Sequence, residues 1–219
     1  KTNVDWCETN IIEAYKVNTF GADNLTALFT GTLVQISTDF IFDGQAGYYD
    51  ILSLPNPKNT YGFSKLMAET SVRRKPQNLI IRTTILYDAY SNNFATAVIK
   101  QLTETGYAKA PRQLYGTPTY IPHLAMGIMV AIEKRLNGTY HIVGKDQVSR
   151  FEFAQKLAEK FGFDKNNILD TIAFGDANRP ELAGLDTEFS VKAGLPIFTL
   201  QQGIDDLYVE FQRNRSTNN

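Results

Sequence analysis

The sequence predicts an α/β fold with a parallel sheet, and three observations carry that prediction. Two short apolar runs, LVQIS at 33–37 and NLIIRTT at 78–84, are rich in strand-forming residues and have the length of buried strands. Each is preceded by a helical segment. A long loop at 38–59 separates the first strand from the next helix, so 11–84 reads helix, strand, loop, helix, strand. That alternation is what a parallel sheet with crossover helices requires.

The chain opens on KTNVDWCETN, with no initiator methionine and no strand pattern. From about Ile11 to Phe29 one long helix is expected, with Ile12, Tyr15, Leu25 and Leu28 among its apolar positions. The loop 38–59 holds two glycines and two prolines, and connections of that length are usually functional or disordered. The helix that begins near Tyr61 stops before Pro76. The basic run Arg73-Arg74-Lys75 sits at its end, where positive charge complements the helix dipole. Beyond residue 90 the texture changes. A helix is expected at 92–104, a turn-rich crossing at 115–122, a helix at 121–135 and a strand at 138–144. Ser149-Arg150-Phe151-Glu152 reads as a capping box opening the amphipathic helix FEFAQKLAEKFG. Residues 177–196 read as a loop and a short helix, 199–212 as a helix, and NRSTNN as a frayed tail.

Of the 219 residues 43% are hydrophobic and 21% charged, the balance of an ordinary globular chain with one large domain or two small ones. A net charge of −1 argues against a nucleic-acid binder relying on a broad basic face. No apolar run is long enough to cross a bilayer. The single cysteine, Cys7, rules out an internal disulfide and fits a reducing, cytoplasmic setting; it reads as a small buried residue. His123 and His141 have no cysteine or close carboxylate pair beside them, so no metal site is expected.

The chemistry gathers around one strand exit. Ligands of parallel α/β sheets bind beyond the carboxyl ends of the strands, here Ser37-Thr38-Asp39 and Arg82-Thr83-Thr84. Tyr61 and Lys65 stand four apart on one helix and therefore share a face. A hydroxyl, a phenol and an ammonium can converge there on one carbonyl oxygen. A phenol donates a proton at neutral pH, and a nearby ammonium eases the phenolate left behind. A threonine hydroxyl can hold the carbonyl oxygen in place. This is proton delivery to a carbonyl whose carbon receives hydride from elsewhere.

The stretches ISTDFIFDG and LPNPKNTYGFSK resemble the extended short-chain dehydrogenase/reductases, and within them the dTDP-4-dehydrorhamnose reductases. The resemblance covers nearly the whole chain. TNVDWCE with EAYKVNTFGADNL, then NNF, the crossing Gln113, Gly116, Pro118, Thr119, and NRPELAGLDTE fall in the family's order. It implies a Rossmann-like parallel sheet over 1–88, joined by 121–143, with a small α/β substrate-binding part in 89–120 and 144–198 and a C-terminal helix and tail in 199–219. It implies Thr38, Tyr61 and Lys65 as catalytic residues: Tyr61 as proton donor to the sugar's C4 carbonyl, Lys65 tuning it and bonding the nicotinamide ribose, Thr38 as the catalytic hydroxyl. Thr2, Asn18, Tyr61, Lys65 and Thr83 would serve the cofactor, NADP(H) or NAD(H). Val4, Ser37, Thr38, Asn93 and Arg179 would serve a dTDP-sugar. A homodimer is compatible with the resemblance; a membrane or nucleic-acid partner is not expected.

Three departures stand out. Phe40 occupies a position that is usually tyrosine, and Ile85 one that is often aromatic in the bacterial enzymes, so the sugar is open. The family's N-terminal glycine-rich half, on the order of 60 residues of βαβ structure, has no counterpart here. The expectation is that these residues belong to a longer protein and that the chain alone binds NADP(H) poorly. Two other readings share the resemblance: a non-catalytic regulatory subunit like the methionine adenosyltransferase β subunit, and a related nucleotide-sugar epimerase or dehydratase.

Overall fold

The computed structural model describes residues 1–172 and 175–217. Two short helices, α1 (Val4–Thr9) and α2 (Ile11–Tyr15), lead into a π-helical turn (Lys16–Phe20) and α3 (Gly21–Leu28). Strand β1 (Val34–Thr38) follows, then a 3-10 turn (Asp39–Ile41), α4 (Thr60–Val72) and β2 (Leu79–Thr83). The rest alternates short strands with helices: β3 (Leu86–Tyr87), α5 (Phe94–Thr105), β4 (Ala108–Ala110), β5 (Tyr115–Gly116), β6 (Thr119–Tyr120), α6 (Ile121–Glu133), β7 (Gly138–His141), β8 (Val148–Ser149), α7 (Arg150–Lys160), β9 (Ile168–Asp170), α8 (Glu188–Lys192) and α9 (Leu200–Thr217).

The expected parallel sheet is present, in the order β1-β2-β7. Both pairings are parallel, with Thr38 opposite Thr83 and Arg82 opposite His141. Leu79 and Ile81 of β2 and Tyr140 of β7, with Ile142 just beyond that strand, form one apolar cluster with Leu124 and Ala131 of α6. A second cluster joins Val98, Leu102, Phe153, Leu157, Ile204 and Leu207; it binds α5, α7 and α9 to one another. Ser149 and Glu152 form the anticipated capping box at α7.

The helix expected over 11–29 is present as one unbroken run over 11–28, with the π turn set inside it between α2 and α3. The departures are that turn, the face the helix buries, and α1, which lies within the stretch that reads as irregular. Asn3 starts α1 by accepting from the Trp6 amide at 3.0 Å. The apolar positions point the wrong way: Ile12 is 71% and Leu28 83% exposed, and Leu25 is exposed too. The buried residues are small ones, Ala14, Thr19, Ala22 and Thr26. Small side chains let this segment press closely on α4, which leaves the large ones outside. The π turn brings Asn18 and Thr19 to α4, where Thr19 donates to the Ser64 carbonyl at 2.8 Å and Asn18 to the Ser64 hydroxyl at 2.9 Å. Inserted π turns recur at functional sites. At the other end, α9 runs to Thr217 through most of the expected tail; residues 218–219 lie outside the described residues.

The basic run is structural: Arg73 pairs with Glu69, Arg74 with Asp23, and Lys75 bonds the Phe29 carbonyl at 2.7 Å. Gly62 is required where it stands, because a Cβ there would collide with the Phe40 carbonyl.

Behind the sheet lies a buried charge cluster. Arg82 donates to Glu69 through two nitrogens, at 3.0 and 2.9 Å. His141 sits beside Arg82, with Nε2 3.5 Å from its guanidinium and Nδ1 2.9 Å from the Asp186 carbonyl. Burial, reinforced by the Arg82 charge, pushes His141 down to about 4. The unfolded chain, with an ordinary histidine near 6.5, therefore binds more protons in that window. Its contribution to stability is present above pH 6.5 and is lost as the pH falls toward 4. The buried Asp39, raised to about 6, works in the opposite sense over much of the same range. Comparing wild type with His141→Gln separates the two: urea midpoints at pH 7, 5.5 and 4.5 should fall more steeply for wild type, and parallel curves would refute the assignment.

Candidate active site

The in-register pairing of β1 and β2 sets Thr38 beside Thr83 at the carboxyl edge of the sheet. A cavity of about 780 Å³ opens there, lined among others by Thr2, Val4, Ser37, Thr38, Tyr61 and Lys65. Thr83 and Arg179 also line it. Eight of the ten expected site residues thus share one wall, drawn from the N-terminal segment, both strands, α4 and the 177–187 loop.

The start of α4 is fixed from two sides. Asn59 accepts from the Gly62 amide at 2.8 Å, as an N-cap should. Glu8 of α1 accepts from the Thr60 amide at 2.6 Å and its hydroxyl at 3.1 Å, placing negative charge at the positive end of the helix dipole. Tyr61 and Lys65 then face the cavity one turn apart. Asn18 does not line the cavity; it holds the Lys1 backbone nitrogen and carbonyl at 2.8 and 2.9 Å and so steadies the segment that carries Thr2.

The electrostatics are set mainly by burial. The Tyr61 phenol is pushed up to about 12 by burial, offset in part by the neighbouring Thr38 hydroxyl and increased by the Asp39 charge. It is therefore a firmly protonated donor at neutral pH. Burial lowers Lys65, with Glu69 pulling it back. Its ammonium donates to the Ile36 carbonyl at 2.5 Å. The sequence expectation has Lys65 drawing the Tyr61 pKa down; burial of the phenol raises it instead. Phe40, the ring without a hydroxyl, packs edge-on against Tyr61 with centroids 5.8 Å apart. Ile85 also lines the cavity and is held at φ 46°, a region β-branched residues rarely occupy.

Two expected substrate residues are already engaged. Arg179 lines the cavity, but its guanidinium is paired with Asp5 at 2.5 Å and donates to the Ala177 carbonyl at 3.1 Å. That pairing holds Asp5 below the usual carboxylate range. Asn93 lies outside the lining; its side chain caps α5, accepting from the Ala95 and Thr96 amides at 2.9 and 3.2 Å. Its contact with the cavity is indirect, through Phe94 and Val98.

Sequence reasoning placed Asp39 and Thr84 at the two strand exits without giving them a role and missed Arg150; all three are in the lining. Asp39 is buried and accepts from the Thr38 hydroxyl at 3.0 Å and the Thr84 hydroxyl at 2.6 Å. It thereby fixes the rotamer of Thr38. The signal for Asp39 was its place beside Thr38; Arg150 gave none, since the first turn of a capped helix is ordinarily exposed.

Among the described residues no group of His, Cys, Asp and Glu side chains could hold a metal ion, and no helix is long and apolar enough to cross a membrane.

Comparison with known proteins gives this geometry a family. The model of the RmlD substrate binding domain matches residues 1–213. The chain belongs to that family. It is similar to a probable low-salt glycan biosynthesis reductase, Agl14, of Haloferax volcanii, 28% identical over 189 residues, and to the dTDP-4-dehydrorhamnose reductase of Aggregatibacter actinomycetemcomitans, 28% identical over 195 residues. Those alignments cover 82% and 83% of this chain but 63% and 66% of the relatives, so the chain spans a little under two thirds of their length. Among solved structures it resembles the dTDP-4-dehydrorhamnose reductase of Bacillus anthracis in complex with NADP, with a TM-score of 0.90 and 30% identity over 96% of this chain and 78% of that one. As an RmlD-family member the chain has the Rossmann-like architecture of an extended short-chain dehydrogenase/reductase, which its parallel sheet displays directly.

Proposed function

We propose that the protein carrying this chain is an NAD(P)H-dependent reductase that converts the 4-keto group of a dTDP-6-deoxy-hexulose, dTDP-4-dehydrorhamnose, to the alcohol of dTDP-rhamnose, in the cytoplasm. What carries the reading is the convergence of Thr38, Tyr61 and Lys65 in one cavity at the strand ends. The named relatives support it.

The lining suits a nicotinamide nucleotide. Ser37 and Thr83 keep buried hydroxyls with no partner among the described residues, and Lys65 offers a cation beside them. Ribose and carboxamide groups have the donors and acceptors to satisfy such side chains. Thr2, Tyr61, Lys65 and Thr83 would hold that end of the cofactor, which supplies hydride when bound. Thr38 positions the carbonyl oxygen. Tyr61 transfers its proton to that oxygen; an alkoxide is a much stronger base than a phenolate, so a phenol near 12 still donates readily. The Lys65 charge stabilises the phenolate that remains. Val4, Ser37 and Arg179 would border the sugar nucleotide, and Asn93 would act by placing α5.

We also propose that 1–88 with 121–143 forms the cofactor-facing part and 89–120 with 144–198 the substrate part. The two apolar clusters support that division, and α9, within 199–219, packs with the second.

The test is nicotinamide oxidation by the purified protein with dTDP-4-dehydrorhamnose, with identification of the sugar product. Oxidation that depends on the sugar nucleotide and yields dTDP-rhamnose is expected. A protein that binds the cofactor but reduces no dTDP-ketosugar would overturn the proposal.

A further inference from the structure

Arg150 stands first in α7, and its side chain reaches into the same cavity. The side chain is half-buried and forms part of the cavity lining. Its backbone amide bonds the Leu114 carbonyl at 2.8 Å. Its guanidinium lies over the Phe94 ring, 5.0 Å from the centroid. Among the described residues no acceptor is hydrogen-bonded to its side chain.

The other cations of the wall are engaged. Arg179 is paired with Asp5, and Lys65 with the Ile36 carbonyl. Lys109, the exception, is the exposed middle residue of β4, whose neighbours Ala108 and Ala110 are buried. Among the described residues the only carboxylate in the lining is Asp39. Its oxygens already accept from Thr38 and Thr84, so it attracts Arg150 through space without a hydrogen bond. A guanidinium carries five N–H donors, and burying one is costly unless acceptors meet it. The cavity wall therefore holds a half-buried cation without a hydrogen-bonded acceptor, in the same lining as the threonine of the proposed chemistry. The planar fork of arginine matches phosphate oxygens two at a time.

We infer that Arg150 is a substrate-binding residue whose guanidinium takes the diphosphate of a nucleoside-diphosphate ligand and so selects sugar nucleotides over free sugars or nucleosides. The inference rests on the sugar-nucleotide reading of the cavity. Arg150 then holds the ligand at its charged middle while Thr38 and Tyr61 address the sugar.

Calorimetric titration of wild type, Arg150→Gln and Arg150→Lys with dTDP, thymidine and inorganic pyrophosphate tests it. Losing hydrogen bonds to a charged group should weaken dTDP about ten- to hundredfold in Arg150→Gln, with thymidine unchanged. Arg150→Lys should fall between, because it keeps the charge and loses the fork. Melting curves by circular dichroism establish that the variants fold. Should Arg150→Gln not fold, Arg150→Lys decides: dTDP affinity equal to wild type would overturn the inference. If Arg150→Gln folds and binds dTDP as wild type does, the inference falls while the sugar-nucleotide reading stands. Binding of pyrophosphate that depends on Arg150, without binding of dTDP, would keep the inference and sink the dTDP reading. Wild type that binds none of the three would sink both.

Discussion

Tyr61→Phe is expected to lower kcat for the proposed reduction about 10²- to 10⁴-fold, the usual contribution of a positioned proton donor. The substitution removes one oxygen and keeps the ring. That ring is 9% exposed and packs against Phe40, so the fold should be retained and the melting temperature little changed. KM should also change little, because the phenol serves the oxygen that gains charge rather than the body of the sugar nucleotide. The pH profile adds a second reading. Since burial pushes Tyr61 up to about 12, wild-type activity should show no loss from phenol ionisation through neutral and moderately alkaline pH. A variant with near wild-type kcat would remove Tyr61 from the chemistry and leave Thr38 or a solvent proton as donor.

Arg82→Met is expected to cost about 3–5 kcal/mol of folding stability, the penalty for stranding one partner of a buried ion pair. The Glu69 side chain is fully buried and that of Arg82 nearly so. Burial alone would raise Glu69, but the Arg82 guanidinium outweighs it and holds the carboxyl below its usual range. Arg73 also reaches Glu69, at 2.7 Å, but from a half-exposed position, so it replaces little of the loss. The pair joins β2, one residue before Thr83, to α4, one turn beyond Lys65, so loosening should show in activity as well. Urea unfolding measures the first effect. The double variant Glu69→Leu with Arg82→Met should regain much of the stability, because apolar replacement removes both buried charges. A double variant as unstable as the single one would place the cost in packing volume instead.

The sheet was legible because strand signals are local: LVQIS and NLIIR have the composition and length of buried strands, and the helix between them dictates parallel pairing. Tyr61 and Lys65 were legible because helical spacing alone puts them on one face. The long-range parts were not. Nothing near Arg150 in sequence tells that its helix starts inside a cavity, and nothing near Arg179 tells that Asp5 holds it. The helix over 11–29 was legible, but its buried face was not: close packing on α4 selects the small residues Ala14, Ala22 and Thr26 and leaves Ile12, Leu25 and Leu28 outside. The π turn has no composition of its own; it follows from the bonds Asn18 and Thr19 make to Ser64.

The Asp5–Arg179 ion pair joins residues 174 positions apart. A ribosome adding about 5–20 residues per second takes roughly 9–35 seconds to cover that distance. For that interval α1 has been made but lacks the loop that closes over it, and Thr2 and Val4 border an unfinished wall. Contacts this distant raise the contact order and slow the final docking step. The pocket is therefore a late product of folding: the sheet and α4 can form from a contiguous stretch, while competence to bind waits for the 177–187 loop to return to the start of the chain.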